Sequence, residues 1–313
     1  MTHGKEDKFL SAWAEIRKTS YCHIMNRLTD KIIVVVGGAT GFGLACTRRF
    51  SDEGATVVIA GRRGDLAQAT AEQFNGMGVQ WDVTNFDQGE NVVSEILGNY
   101  GKIDAAINFA GYDDVSLIKE ITPEHLEPMV NVQFNGAIYF LRFMCNAMAQ
   151  GGGGSAILCS SLTAQSPAIG RVGYAGSKAG LEYVAKIAAV EYGHEQVRVN
   201  CIAPHVIETD MTAEAFTEEN RIAIEAVRLQ TPAKRMGHVD DVANCALYLV
   251  SDESNYVNGE TIRIDGGAHT QKLPSDWDYA FLGVVRPDLG EHPRAVMPDW
   301  YREEMEQTID GEN

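Results

Sequence analysis

The most informative segment for the fold is Ile32-Ile33-Val34-Val35-Val36-Gly37-Gly38-Ala39-Thr40-Gly41-Phe42-Gly43. Its β-branched run predicts a buried strand, and the glycines predict a sharp turn into a helix that we expect to begin near Leu44. In such a turn, backbone N–H groups and the helix N-terminus face a pyrophosphate. The stretch therefore predicts a dinucleotide site. The residues expected at the phosphates are Gly37, Thr40, Gly41, Phe42 and Gly43.

The same order of apolar run, turn and helical stretch repeats to about residue 264. The apolar runs are continuous, which is typical of parallel strands covered by helices on both faces. The predicted strands are 32–36, 56–60, 78–81, 105–109, 155–160, 197–202 and 261–264. We therefore predict an α/β fold in which residues 30–268 form one domain with a doubly wound (Rossmann) parallel sheet.

Two segments fall outside this pattern. Residues 1–29 are polar and predict a helical extension at the N-terminus. Residues 269–313 are acidic and combine prolines with aromatic side chains, which favours a strap pinned to a surface over a disordered tail. The strap would cover the active site of its own subunit, pack on a neighbouring subunit, or have a purely structural role.

The charge and cysteine content limit the partners and the compartment. The 26 Lys and Arg residues against 43 Asp and Glu give a formal net charge of −17, which disfavours nucleic acids and anionic membranes. No apolar run reaches the about 18 residues of a membrane span, and the N-terminus lacks a signal core. Scattered cysteines without a C-x-x-C pair favour free thiols and therefore a cytoplasmic location. The histidines lack the paired spacing of zinc ligands, which argues against a bound metal.

The end of the second strand bears on the choice of dinucleotide. In dinucleotide folds an acidic residue at this edge binds the adenosine ribose hydroxyls. Here Gly61 offers no carboxylate, whereas Arg62 suits a 2′-phosphate. The sequence therefore favours NADP(H) over NAD(H), and an ordinary solvated arginine is the alternative.

The chemistry-bearing stretch is Ser160-Ser161 followed by Tyr174-Ala175-Gly176-Ser177-Lys178. Tyr174 and Lys178 are four apart and share one face of a helix. A phenol with a pKa of about 10 is a poor base at neutral pH, and a nearby ammonium lowers that pKa. Ser161, at the end of a strand, is suited to bind a carbonyl or alcohol oxygen.

With these motifs the sequence resembles the short-chain dehydrogenase/reductase family from about residue 28 to 268. The resemblance implies that Tyr174 exchanges a proton with the substrate oxygen, that Lys178 binds the nicotinamide ribose and lowers the pKa of Tyr174, and that Ser161 orients the carbonyl. It further implies an NAD(P)(H) cofactor, a small-molecule substrate and a homo-oligomer, commonly a tetramer. Further cofactor-binding residues implied are Asp82, Val83, Asn108, Ala110, Gly111, Val206 and Thr209.

Departures from the family pattern concern the proton relay and the substrate. Gln133 stands where the family has a catalytic asparagine that holds a relay water, so we expect a relay with shifted geometry. His205 replaces a glycine after Pro204 and is either a substrate contact or a space-filling loop residue. The expected substrate-pocket residues are Ser161, Thr163, Tyr112, His205 and Met211.

The leading hypothesis is therefore an oxidoreductase that interconverts a medium-sized hydrophobic ketone and a secondary alcohol with NADP(H) or NAD(H). Enoyl reduction on the same fold is one alternative. A cofactor-binding subunit without turnover is the other, and Gln133 is its only support.

Overall fold

A computed structural model describes residues 26–209, 212, 216, 217 and 220–270. Within them, parallel strands form one seven-stranded sheet in the order β3-β2-β1-β4-β5-β6-β7. The strands are β1 (Ile32–Val36), β2 (Thr56–Gly61), β3 (Met77–Gln80), β4 (Ala105–Asn108), β5 (Gly154–Cys159), β6 (Val197–Pro204) and β7 (Thr261–Ile264). The predicted doubly wound sheet is confirmed, and the strand ends differ from prediction by at most two residues.

Helices connect the strands and cover both faces of the sheet. They are α1 (Gly41–Asp52), α2 (Gly64–Glu72), α3 (Phe86–Tyr100), α4 (Pro123–Val130), α5 (Gly136–Gln150), α6 (Val172–Tyr192), α7 (Arg221–Gln230) and α8 (Val239–Val250). A π-helical turn, Asn131–Asn135, joins α4 to α5. Within the described residues, no helix has both the length and the apolar character that crossing a membrane requires.

Continuous apolar strands build two core layers, one on each face. In β1, Val34 and Val36 pack into one layer, while Ile33 and Val35 pack into the other. All four side chains are buried, as expected for a sheet covered on both sides. The strand pattern read from the sequence is therefore the pattern that a two-sided core needs.

The glycine turn after β1 depends on backbone that other residues rarely adopt. Gly37 and Gly41 have φ of +77° and +51°, in the left-handed region. A Cβ on Gly43 would lie 2.0 Å from the Gly37 carbonyl oxygen, so a larger residue does not fit there. The helix begins at Gly41 rather than near Leu44, because the turn itself already forms the first helical residues.

The sheet also creates the crevice in which the site lies. From β1 the chain moves to β2 on one side, and β4 pairs with the other side of β1. This reversal of direction opens a crevice at the carboxyl ends of the strands, where ligands of open α/β sheets bind. The predicted helical extension and strap fall mainly on 1–25 and 271–313, outside the described residues.

Candidate active site

A cavity of about 390 Å³ lies in this crevice, at the carboxyl ends of β1, β2 and β4. Most of the residues expected at the dinucleotide line it: Gly37, Thr40, Gly41, Phe42, Gly43, Arg62, Asp82, Val83, Ala110, Gly111 and Thr209. The residues that sequence reasoning did not place there include Ala39, Arg63, Leu66, Trp81, Tyr112 and Val132. The glycine backbone leaves the room that a pyrophosphate needs, so the residues present fit a dinucleotide.

Two polar residues shape this cavity through local hydrogen bonds. Asn108 is buried, and its Oδ1 accepts a hydrogen bond from the backbone N of Ala110 at 2.8 Å. Asp82 Oδ1 accepts from the backbone N and the Oγ1 of Thr84, at 2.9 and 2.7 Å. Asn108 does not line the cavity, and its side chain instead holds the turn that presents Ala110 and Gly111.

The edge of the cavity carries two exposed arginines. Arg62 and Arg63 follow Gly61 at the end of β2, and Gln80 Nε2 donates to the Arg62 carbonyl oxygen at 3.2 Å. A Cβ on Gly61 would meet no heavy atom within 4 Å. The edge is thus open and positively charged.

Helix α6 and strand β5 bring the catalytic candidates together. Lys178 is buried, and its Nζ donates to the Cys159 carbonyl oxygen at 2.6 Å. The same ammonium lies 5.6 Å from the centroid of the Tyr174 ring. Ser161 lies just beyond β5, and its Oγ accepts from the Oγ1 of Thr163 at 3.0 Å.

The surroundings of Tyr174 act on its hydroxyl in opposite directions. Burial raises the pKa of Tyr174 to about 12, while the Ser161 hydrogen bond and the charge of Arg171 act to lower it. Burial lowers the pKa of Lys178. Arg171, one turn before Tyr174, is thus a second cation that acts on the hydroxyl, besides the Lys178 ammonium near the ring.

Arg171 was not singled out by the sequence because only the tertiary structure gives it partners. Its largely buried side chain forms an ion pair with Asp113, which follows β4 on another part of the chain. Next to this pair, the backbone N of Ser116 donates to the Gly170 carbonyl oxygen at 2.9 Å. The loop after β4 is therefore tied to the segment that leads into α6.

Gln133 has a contact that the family comparison did not suggest. It lies in the π-helical turn and is 1% exposed. Its Nε2 donates to the Tyr112 carbonyl oxygen at 2.9 Å, and its Oε1 is buried without a hydrogen-bond partner. One end of the amide thus holds the loop after β4, and the other presents a free acceptor.

The expected substrate-pocket residues are not gathered in one cavity. Tyr112 lines the dinucleotide cavity, and Thr163 lines an apolar groove beside α6. His205, together with Val206, lines a further cavity of about 430 Å³ against β7, and burial lowers the pKa of His205. Met211 lies outside the described residues.

The raised pKa of Tyr174 gives a direct prediction. Because the neutral phenol is favoured in the folded protein, we expect no phenolate from Tyr174 at neutral pH without added dinucleotide, and ionisation only towards pH 12. The test is the ultraviolet difference spectrum between the wild type and Tyr174→Phe as the pH is raised. A phenolate band assigned to Tyr174 near neutral pH would contradict the effect of burial described above.

A family model and several known proteins match most of this chain. The matching family model is described as Enoyl-(Acyl carrier protein) reductase and spans residues 37–269. The 3-oxoacyl-(acyl-carrier-protein) reductase of Thermotoga maritima is 34% identical over 246 residues, covering 77% of this chain and 98% of that protein. The NAD-dependent glycerol dehydrogenase of Listeria innocua is 31% identical, covering 77% and 94%.

Solved structures agree with the sequence relatives. The crystal structure of levodione reductase has a TM-score of 0.74 at 26% identity, covering 78% of this chain and 99% of that one. A short-chain type dehydrogenase/reductase from Mycobacterium ulcerans has a TM-score of 0.77 at 28% identity, covering 87% and 99%. The chain therefore belongs to the short-chain dehydrogenase/reductase family and is an NAD(P)-dependent oxidoreductase acting on CH–OH or C=O groups.

Proposed function

We propose that this protein interconverts a medium-sized hydrophobic ketone and the matching secondary alcohol, with NADP(H) as the preferred dinucleotide. The observation that carries the proposal is the clustering of Ser161, Tyr174 and Lys178 at the end of β5, which pairs with β4, the strand that leads to the glycine-lined cavity. Relatives named as a 3-oxoacyl reductase and a glycerol dehydrogenase support carbonyl–alcohol chemistry.

In this proposal each side chain has a separate task. Tyr174 gives a proton to the carbonyl oxygen during reduction and takes it back during oxidation. Ser161 binds that same oxygen and orients it, and Lys178 binds the ribose next to the nicotinamide. Thr209 and the backbone near Val206 hold the carboxamide. When bound, the dinucleotide supplies the hydride chemistry, and the protein supplies binding and orientation.

The test is a substrate panel with the purified protein. We expect NADPH consumption with hydrophobic ketones, and a loss of at least about 100-fold in kcat for Tyr174→Phe, because a positioned acid is removed. Nicotinamide absorbance measures the turnover, with NADH run in parallel. Turnover of enones alone would favour enoyl reduction, the activity in the family model's description. Dinucleotide binding without any turnover would contradict both.

Charge at the edge of the cavity supports the preference for NADP(H). Arg62 and Arg63 line the cavity beside Gly61, which itself has no carboxylate to offer the ribose hydroxyls. A guanidinium suits a phosphate because it donates several hydrogen bonds in a planar fork. We therefore propose that Arg62 binds the 2′-phosphate.

We expect Arg62→Ala to weaken NADPH binding about tenfold or more, because a charge-assisted hydrogen bond is lost, and to leave NADH binding nearly unchanged. Fluorescence titration with each dinucleotide measures both affinities. Arg48→Ala is the matched control, since Arg48 is exposed on α1 and does not line the cavity. Equal losses for NADPH and NADH would refute the assignment.

We also propose that Gln133 supports the proton relay while holding the loop after β4. Its unpartnered Oε1 is a buried acceptor, and a buried acceptor without a partner is costly unless water or a ligand satisfies it. Its Nε2 already donates a hydrogen bond to the Tyr112 carbonyl oxygen. A single amide would thus serve both tasks.

Two variants separate the tasks of Gln133. Gln133→Asn keeps an amide, but the shorter side chain does not reach the Tyr112 carbonyl oxygen as Gln133 does. We therefore expect the KM for the ketone to rise several-fold, because the loop after β4 loses this hydrogen bond. We expect kcat to stay within about threefold of the wild type. Gln133→Leu removes the acceptor as well, and we expect kcat to fall about tenfold or more. Steady-state kinetics measure both, and an unchanged kcat in Gln133→Leu would exclude a relay role.

An apolar stripe on α6 supports the homo-oligomer, commonly a tetramer in this family. Val172, Tyr183, Ile187 and Val190 are exposed large apolar side chains on the face opposite Tyr174. Contiguous apolar surface of this kind is typical of an interface. We propose that a second copy of the chain covers this stripe.

The domain limits and the location are further proposals. We propose that residues 30–268 form the catalytic domain, with 1–29 and 269–313 as extensions; the family match over 37–269 supports this. We also propose that the protein works in the cytoplasm on a small molecule, with neither nucleic acid nor membrane as a partner. The free cysteines of the described residues and the net charge of −17 support this.

A further inference from the structure

We propose that Glu182 is a positioning residue, whose carboxylate holds the segment carrying Ser161 against the helix carrying Tyr174 and Lys178. The inference rests on the proposed function, because Ser161 is taken as the group that orients the substrate oxygen. Glu182 itself would not touch substrate or cofactor.

Glu182 lies one helical turn beyond Lys178, so Tyr174, Lys178 and Glu182 follow one another along the same face of α6. Its Oε1 accepts a hydrogen bond from Ser160 Oγ at 2.8 Å. Gln165 Nε2 donates to both carboxylate oxygens, at 3.0 and 2.9 Å. One carboxylate therefore receives hydrogen bonds from two residues of a different segment.

These two residues enclose Ser161. Ser160 precedes it directly, and Gln165 follows the short 3-10 turn Leu162–Ala164. Because both flanks of this turn are bonded to one carboxylate, the Ser161 hydroxyl has little freedom to move relative to α6. The contact thus sets the separation of the hydroxyls of Ser161 and Tyr174.

The neighbouring contacts make the segment rigid on its other sides. The buried Ser160 donates its backbone N–H to the Ile202 carbonyl oxygen on β6 at 2.7 Å. Gln165 Oε1 accepts from the guanidinium Nε of Arg263 on β7. An amide that is oriented by a guanidinium presents its Nε2 to Glu182 in one fixed orientation, which adds to the hold on the segment.

The donors at Glu182 are the reason to assign it a positioning role. In the described part of the chain, the hydrogen bonds to this carboxylate come from the neutral side chains of Ser160 and Gln165, and no cation lies within ion-pair distance. A hydrogen bond to a charged acceptor is roughly twice as strong as a neutral one. Both donors to the Glu182 side chain therefore belong to the segment that carries Ser161, which assigns Glu182 a positioning role.

The experiment combines variants of Glu182 with Ser161→Ala. Glu182→Ala should lower kcat about tenfold or more, with the KM for the dinucleotide little changed, because misplacing a catalytic group is costly. Glu182→Gln should restore most of kcat, since an amide oxygen still accepts from Ser160. In the Ser161→Ala background, Glu182→Ala should cost nothing further, because its effect passes through Ser161. Glu191→Ala, exposed on the same helix, is the matched control.

Equal losses in both backgrounds would overturn the proposal, because Glu182 would then act independently of Ser161. Gln165→Leu provides the same test if Glu182→Ala does not fold, and it should give a smaller loss that also disappears in Ser161→Ala. Far-ultraviolet circular dichroism and thermal unfolding establish that each variant is folded.

A readout independent of turnover separates this inference from the proposed function. In protein labelled with ¹³C at the tyrosine Cζ, Glu182→Ala and Ser161→Ala should shift the Tyr174 signal in the same direction, because both change how Ser161 acts on the Tyr174 hydroxyl. Tyr174→Phe assigns the signal. If no carbonyl compound is turned over but this shift occurs, the proposed function fails while the positioning role stands. An unmoved Tyr174 signal in Glu182→Ala would refute the role.

Discussion

The hydrogen bond from the Lys178 ammonium to the Cys159 carbonyl oxygen is the contact on which the candidate site depends. It joins the first turns of α6 to the carboxyl end of β5, and at 2.6 Å it is short and buried. A buried ammonium without an acceptor is costly, so this contact sets the position of α6 on the sheet. This contact brings Tyr174 and Ser161 to the same region, because each lies within four residues of a joined residue, and the hydrogen bonds at Glu182 then fix the Ser161 segment.

Near this contact, burial and charge have opposite effects on the pKa of Tyr174. Burial keeps the pKa of Tyr174 high, and the hydrogen bond with Ser161 and the charge of Arg171 act against it. Arg171 is itself tied to the loop after β4 through Asp113. The Arg171 guanidinium thus links the electrostatics of the Tyr174 hydroxyl to the position of that loop. Gln133 holds the same loop through its hydrogen bond to Tyr112.

The sheet, the glycine turn and the shared helix face of Tyr174 and Lys178 follow from local sequence patterns. Apolar runs such as Ile32–Val36 are continuous because both faces are covered, and this pattern is local. Position 37 needs glycine because its φ is positive, and position 43 needs glycine because a Cβ would collide with the Gly37 carbonyl oxygen. Both requirements are visible in the sequence as a glycine motif. Tyr174 and Lys178 share a helix face by their spacing alone. These local patterns are shared with the short-chain dehydrogenase/reductase family, to which the chain belongs.

The neighbours of these residues follow from the tertiary structure. Asp113 and Arg171, or Ser160, Gln165 and Glu182, come from segments whose approach depends on how α6 packs on β5 and β6. The second contact of Gln133 depends likewise on the path of the loop after β4. Such pairings leave no periodic signal in one sequence, because each partner alone is an ordinary polar residue. The residues of the candidate site could thus be predicted from spacing, whereas the contacts that hold them in place required the folded chain.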